Sequence, residues 1–392
     1  MMDLDLLAPY LTPRHHALVD ELRGVAEAVE HLPVEHSDDG ARRQARELVT
    51  LLGESRLPRL AMPAAFGGEA AGDDRPDLRG CCLARDVLAS ASPLVDSVFA
   101  LQCLGSMPVT LGISDDLRGR FLPKVIAGEL MAAFAMTEPD AGSDVSSLTT
   151  RAVRDGGDWL LDGTKHLITN AGVADFYCVL AKTDPDAGTR GMTLFLVEAG
   201  TPGLHFAKAQ VLSEPHPLGE IRFEGCRIPD RQRLSEVGRG FHLAMQTLDR
   251  LRPTVAAAAC GMAARALREA LHHANGRRQF GVALAEQPMI QEKLAQMAIE
   301  LDAARLLTFR AAAKADGGAA AVTAEAAKAK AFATEAAQRI VDSAVQVIGG
   351  RGCLQEHPVD RLYRAVRALR IYEGATEIQY LVIARSLIRS VG

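Results

Sequence analysis

Apolar residues recur every three to four positions through the first third of the chain, and that spacing predicts helices. Over 14–30 the positions are Leu18, Leu22, Val25, Ala26 and Val29, one face of a helix. The pattern returns over 41–52, over 76–104 behind Pro76, and over 115–127. Near Leu130 the character changes. From there to about Pro229, short β-like runs alternate with turn residues, over 132–136, 148–153, 159–161, 165–169, 176–182, 192–198, 204–209 and 220–224. Asp155-Gly156-Gly157-Asp158 reads as a hairpin and Asp162-Gly163 as a second turn. Such a series predicts a small antiparallel sheet or barrel. Helical spacing resumes over 238–275, 288–315 and 323–348, with Asp316-Gly317-Gly318 turning between the last two, and again over 376–389. The predicted fold class is mainly α with a central β-domain. Its divisions are a helical segment over 1–129, a β-barrel over 130–234 and a four-helix bundle over 235–392.

Composition narrows the function classes. With 392 residues the chain can bury a large core. Lys and Arg number 44 against 49 Asp and Glu, and no basic patch marks a nucleic-acid partner. Acids stand at Asp3 and Asp5, where a signal peptide needs positive charge. The longest weakly polar stretch, 254–267, is interrupted by Arg265 and is shorter than the ~20 apolar residues of a membrane span. The seven cysteines are scattered, which predicts reduced thiols and neither a disulfide framework nor a zinc site. The pairs His15-His16 and His272-His273 point to different helix faces, so no metal is expected. These features predict a soluble, cytoplasmic protein.

Two segments carry chemistry. The first, Met136-Thr137-Glu138-Pro139-Asp140-Ala141-Gly142-Ser143-Asp144, is a polar loop leaving a strand, with small residues that let backbone N–H groups approach a ligand. The second, Arg370-Ile371-Tyr372-Glu373-Gly374-Ala375-Thr376-Glu377, sets a carboxylate and a glycine at the mouth of the last helix. Between them lie Lys165-His166-Leu167-Ile168-Thr169-Asn170, Arg277-Arg278-Gln279-Phe280-Gly281 and Gln346-Val347-Ile348-Gly349-Gly350-Arg351-Gly352. An arginine offers phosphate a planar donor fork, and glycines at a helix end permit positive φ. Removing a proton from a weak carbon acid requires a carboxylate of raised pKa and stabilisation of the developing enolate.

Together these segments resemble the signatures of the acyl-CoA dehydrogenase family, FAD enzymes that place a double bond between Cα and Cβ of an acyl thioester. The resemblance covers nearly the whole chain and is weakest over the first hundred residues. It implies that Met136, Thr137, Ser143 and Thr169 line the flavin, and that Arg277, Phe280, Gln346, Gly350, Thr376 and Glu377 hold FAD, with Arg277 reaching a neighbour's cofactor. It implies Glu373 as the base, and Ser143, Asp249, Arg252 and Gly374 as contacts of the acyl-CoA substrate. It further implies a homodimer or homotetramer in fatty acid metabolism that passes electrons to an electron-transfer flavoprotein.

Some positions depart from the family pattern. Leu167 replaces a tryptophan beside the flavin, Pro288 a glutamine, Ala365 an aspartate and Ala375 a threonine. Leu251 occupies the position where some relatives carry the base on the long helix, which leaves Glu373. Two further readings of the same fold are a flavin monooxygenase or oxidase, and a dehydrogenase acting on an acyl-carrier-protein thioester. A flavin-binding protein without catalysis is a third.

Overall fold

The computed structural model describes residues 3–33, 35–69, 75–319 and 322–391. Local caps start the first helices. Asp3 accepts from the N–H groups of Asp5 and Leu6 at the head of α1 (Leu4–Leu7). Thr12 and His15 cap each other reciprocally at α2 (Pro13–Glu30), so the buried His15 has a structural role. Ser37 caps α3 (Asp38–Glu54), whose first turn carries Asp38 and Asp39. The single helix predicted over 76–104 is two, α4 (Leu78–Ala91) and α5 (Pro93–Leu111). The break falls at Ser92, because the residue before a proline is disfavoured in the helical region. By length and composition α5 could cross a membrane, a feature the hydropathy reading passed over, and 83% of that stretch is buried inside the protein. α6 (Asp115–Ile126) starts behind Ser114.

The central strands are β1 (Ala132–Ala135), β2 (Arg151–Asp155), β3 (Asp158–Thr169), β4 (Phe176–Lys182), β5 (Met192–Glu198), β6 (Leu204–Ala209) and β7 (Leu218–Pro229). They pair in the order β1-β4-β2-β3-β7-β6, with β5 on β4, in a curled sheet. The sheet is mixed, which corrects the antiparallel expectation: β1 and the start of β2 run parallel to β4. Asp162-Gly163 is a bulge inside β3 and not a turn, with the register against β7 shifting between Leu161 and Gly163. A side chain at Gly163 would lie 2.5 Å from the Thr150 hydroxyl, and its φ is +149°. Trp159, Ile221, Phe223, Phe195 and Val197 fill the core of this sheet.

The final third comprises α7 (Gly240–Gly276), the hairpin β8 (Arg278–Gln279) and β9 (Val282–Ala283), α8 (Pro288–Asp316), α9 (Thr323–Ile348), α10 (Pro358–Leu369) and α11 (Thr376–Val391). α10 was not predicted. It begins with proline at its first position and buries Val359, Leu362, Val366 and Leu369, spaced as one helix face. Contacts divide the chain into two compact units. One, helical, comprises Met1–Leu32, Leu78–Asp96 and Arg252–Gly392; the other, which contains the sheet, comprises Pro33–Asp77 and Ser97–Leu251. The helical unit has an alanine-dominated core, with Ala256, Ala259, Ala263, Ala333 and Ala337 among its buried residues, which lets helices approach closely.

Candidate active site

In the helical unit the chain leaves α10 through a tight turn. The N–H groups of Ile371 and Tyr372 both donate to Ala368 O. Glu373 (φ +52°) and Gly374 (φ +92°) then follow in the left-handed region before α11 starts. A non-glycine residue held there costs of order 1 kcal/mol or more and persists only where its surroundings fix it. Lys330 Nζ and Gln379 Nε2 donate to Gly374 O at 2.8 and 2.9 Å. Arg252 Nε reaches Glu373 O at 3.5 Å. Glu335 accepts from Arg370 Nε and Thr376 Oγ1, each at 2.8 Å, and so joins the two sides of the turn. A Cβ at position 374 would lie 2.5 Å from Gln379 Nε2, so a side chain there would push against the donor to Gly374 O.

This turn delivers the Glu373 carboxylate into a buried, charged setting. Its Oε2 is buried without a hydrogen-bond partner. Burial pushes its pKa upward, Arg85, Arg252 and Lys330 oppose that rise, and Asp96 reinforces it. Lys330 is itself 0% exposed, and burial holds it at about 8 despite Glu373 beside it. Arg85 forms a two-bond fork with Asp96, both bonds 2.8 Å, and donates to Thr254 Oγ1 at 3.1 Å. Among the described residues the N–H of Glu373 has no acceptor, so it remains available to an oxygen brought beside it.

The sequence reading named Glu373, Gly374 and Arg252, which the structure places together at this turn, and did not name Arg85, Asp96, Lys330 or Glu335. One signal was available for Lys330. Lys328 and Lys330 stand two apart on α9 and cannot share a face, so one of them had to turn inward.

Five of the six predicted cofactor residues of this unit, all but Thr376, are exposed. Arg277 makes no side-chain hydrogen bond or ion pair among the described residues, and Phe280, at the tip of the β8–β9 hairpin with φ +53°, is 96% exposed. Gln346 and Gly350 are exposed at the end of α9, where Gly349 adopts φ +72° with open space beside it. Burial, with the guanidinium groups of Arg351 and Arg277 nearby, lowers the pKa of His273. Thr376 is buried on Glu335 while Glu377 is exposed.

The unit containing the sheet holds Met136, Thr137, Ser143, Thr169 and Asp249. Glu138, inside the first motif, is a structural anchor. It accepts from Lys165 Nζ (2.8 Å) and from the N–H groups of Thr149 (2.6 Å) and Thr150 (3.0 Å). Burial opposes its charge, but Lys165 and these hydrogen bonds hold its carboxyl at about 2. The loop is also pinned by Lys165 Nζ to Met136 O (3.0 Å) and His166 N to Thr137 O (2.8 Å). That leaves Met136 and Thr137 half-buried, and Gly142 and Ser143 exposed beside open space. At the end of β3, Thr169 is half-buried, and Leu167, at φ +55°, is half exposed and held by its N–H to Gln210 Oε1 (2.8 Å).

An unpaired guanidinium, a fully exposed aromatic ring and open glycines suit a large anionic aromatic cofactor, and FAD fits this donor set. Residues 133–226 match the model of the acyl-CoA dehydrogenase middle domain, and residues 238–388 that of the C-terminal domain. A probable acyl-CoA dehydrogenase of Mycobacterium leprae is 36% identical over 97% of this chain and 96% of its own length. The cyclohexane-1-carbonyl-CoA dehydrogenase of Geobacter metallireducens is 36% identical over 94% of this chain and 98% of its own. Among solved structures, butyryl-CoA dehydrogenase from Megasphaera elsdenii superposes with a TM-score of 0.90 at 33% identity, covering 96% of this chain and 99% of that one.

Proposed function

The chain belongs to the acyl-CoA dehydrogenase family of oxidoreductases, and we propose that it converts an acyl-CoA to the trans-2-enoyl thioester with Glu373 as the base. The observation that carries this reading is the buried, unpartnered Oε2 of Glu373, with Arg85, Arg252 and Lys330 acting on the carboxylate. Desolvation makes it a stronger base than a solvated carboxylate, and the three cations oppose that rise. Glu373 takes the α-proton. Its own N–H is free to donate to the thioester oxygen as negative charge develops there. FAD, when bound, supplies the acceptor for the Cβ hydride. Arg277, Phe280, Gln346, Gly350, Thr376 and Glu377 would hold it, together with Met136, Thr137, Ser143 and Thr169. Asp249, Arg252, Ser143 and Gly374 would meet the substrate.

The wider reading is of a cytoplasmic enzyme of fatty acid metabolism, homodimeric or homotetrameric, with an electron-transfer flavoprotein as electron acceptor. Six of its seven cysteines are buried free thiols, in keeping with a reducing compartment. Anaerobic mixing with a panel of acyl-CoA and acyl-carrier-protein thioesters tests the proposal, with bleaching of the flavin band expected for the right acyl group. Glu373→Gln should retain FAD and thioester binding while slowing reduction ~10²–10⁴-fold, the usual worth of a positioned base. Equal rates for wild type and variant would overturn the assignment.

The half-exposed Leu167 favours one second reading, in which reduced flavin is reoxidised directly by oxygen. Rapid reoxidation in aerated buffer without an electron-transfer flavoprotein would support that reading.

A further inference from the structure

The direction of the Glu373 carboxylate is set by backbone, since its buried Oε2 receives no hydrogen bond that could steer it. The backbone in question is the turn between α10 and α11, where Glu373 (φ +52°) and Gly374 (φ +92°) stand one after the other in the left-handed region. A non-glycine residue held there is strained, and the strain persists only where neighbouring groups over-determine the conformation. Two of those groups belong to α9. Lys330 Nζ donates to Gly374 O, a carbonyl it shares with Gln379 Nε2. Further along α9, a single oxygen of Glu335 accepts from Arg370 Nε at the end of α10 and from Thr376 Oγ1 at the start of α11, each at 2.8 Å. The Thr376 N–H donates to Arg370 O at 3.1 Å, so both donors of this threonine are used inside the turn.

Stability is a weak reason for the Glu335 contacts. α9 and α10 already share an apolar core, with Ile340 and Val341 on one and Val359, Leu362 and Val366 on the other. The Glu335 and Arg370 side chains are 20% and 30% exposed, and an ion pair that water reaches contributes little to folding. The specific consequence of Glu335 is geometric. Without it, Arg370 and Thr376, which bracket the turn, are joined only through Arg370 O.

We propose that Glu335 is a positioning residue for the reaction: from α9 it closes the turn, so that Glu373 meets the α-proton in one fixed direction. The inference rests on Glu373 being the base. A base works only within hydrogen-bond reach of the proton it removes, and a misplacement of about 1 Å costs on the order of a hundredfold in rate.

The test is anaerobic stopped-flow reduction of the FAD-loaded enzyme by an acyl-CoA that reduces it, with protiated and α-deuterated substrate. Glu335→Ala should lower the limiting rate about ten- to a hundredfold while moving the half-saturating acyl-CoA concentration less than about threefold. Its α-deuterium effect should be at least that of wild type, because the loss falls on proton removal. Glu335→Gln keeps an acceptor oxygen and should recover most of the rate. Hydrogen–deuterium exchange, which needs no substrate, should be faster over 370–376 in Glu335→Ala than in wild type. Glu325→Ala, the structural control, breaks the Lys314–Glu325 ion pair elsewhere on α9 and should leave the rate and the isotope effect unchanged. Wild-type rates in Glu335→Ala, a loss confined to acyl-CoA binding, or a Gln variant as slow as the Ala variant would overturn the role. If wild type reduces its flavin and Glu373→Gln does not, the functional reading stands whatever the Glu335 variants do.

Discussion

At the scale of single residues, the site is built from groups whose charge states conflict with their burial. Lys330 is the clearest case, since burial lowers it from an ordinary 10.5 to about 8. Between those values the unfolded chain keeps a proton that the folded protein has released, so folding stability rises with pH through that window. The slope from this group approaches about 1.4 kcal/mol per pH unit. Lys330→Met should remove it, and the difference in urea midpoint between wild type and variant, followed from pH 7.5 to 10, measures it. Lys330→Met should also slow flavin reduction, because Gly374 O loses one of its two donors and Glu373 one of its counter-charges. Glu373 itself was legible in the sequence because it stands in a short, specific string. The charged groups around it were not, because Arg85 and Asp96 lie on the consecutive helices α4 and α5 and Lys330 on α9, none of them in the string that carries Glu373. Nothing in their local patterns records that the fold brings them to one carboxylate.

At the scale of elements, period and caps were enough wherever local physics decides. The bounds of β4, β5, β6 and α9 match the predicted runs residue for residue. Strand direction was not legible, because an alternating or apolar run reads the same whether its neighbour is parallel or antiparallel. Asp162-Gly163 misled for a related reason. The dipeptide supplies the positive φ that a turn needs, and β3 uses that freedom for a bulge. Gly163→Ala would therefore strain the backbone and push against Thr150. A loss of about 1–3 kcal/mol is expected, read as a lower urea midpoint at unchanged slope. The motif glutamate makes the complementary case. Glu138 is held at about 2 against an ordinary 4.5, so its contribution to stability is complete above 4.5 and is lost as pH falls toward 2. Glu138→Gln should be less stable than wild type at pH 7, and the gap should narrow in acid melts below pH 4.5.

At the scale of the whole molecule, the sequence divides the chain into consecutive segments, whereas its contacts assemble two units from separated stretches. The helices over 78–96 count with the C-terminal bundle, a grouping that hydrophobic period alone does not encode. The outer surface extends the argument beyond one chain. Phe280, Tyr380, Leu381, Leu387 and Ile388 are large apolar side chains exposed on the described surface. The side chain of Arg277, in the turn leading into the hairpin that carries Phe280, makes no hydrogen bond or ion pair among the described residues. If a second copy covers this surface and Arg277 serves the cofactor of that copy, assembly and FAD retention are linked. Leu387→Glu/Ile388→Glu should then lower the sedimentation coefficient and release FAD together. Arg277→Ala should leave the assembly intact yet weaken FAD binding roughly ten- to a hundredfold, the worth of a charge-assisted phosphate contact of about 1.5–3 kcal/mol. The two variants separate the roles, because one removes the interface and the other only the donor. A wild-type monomer by sedimentation with full FAD occupancy would break the link and return Arg277 to being a solvated surface charge.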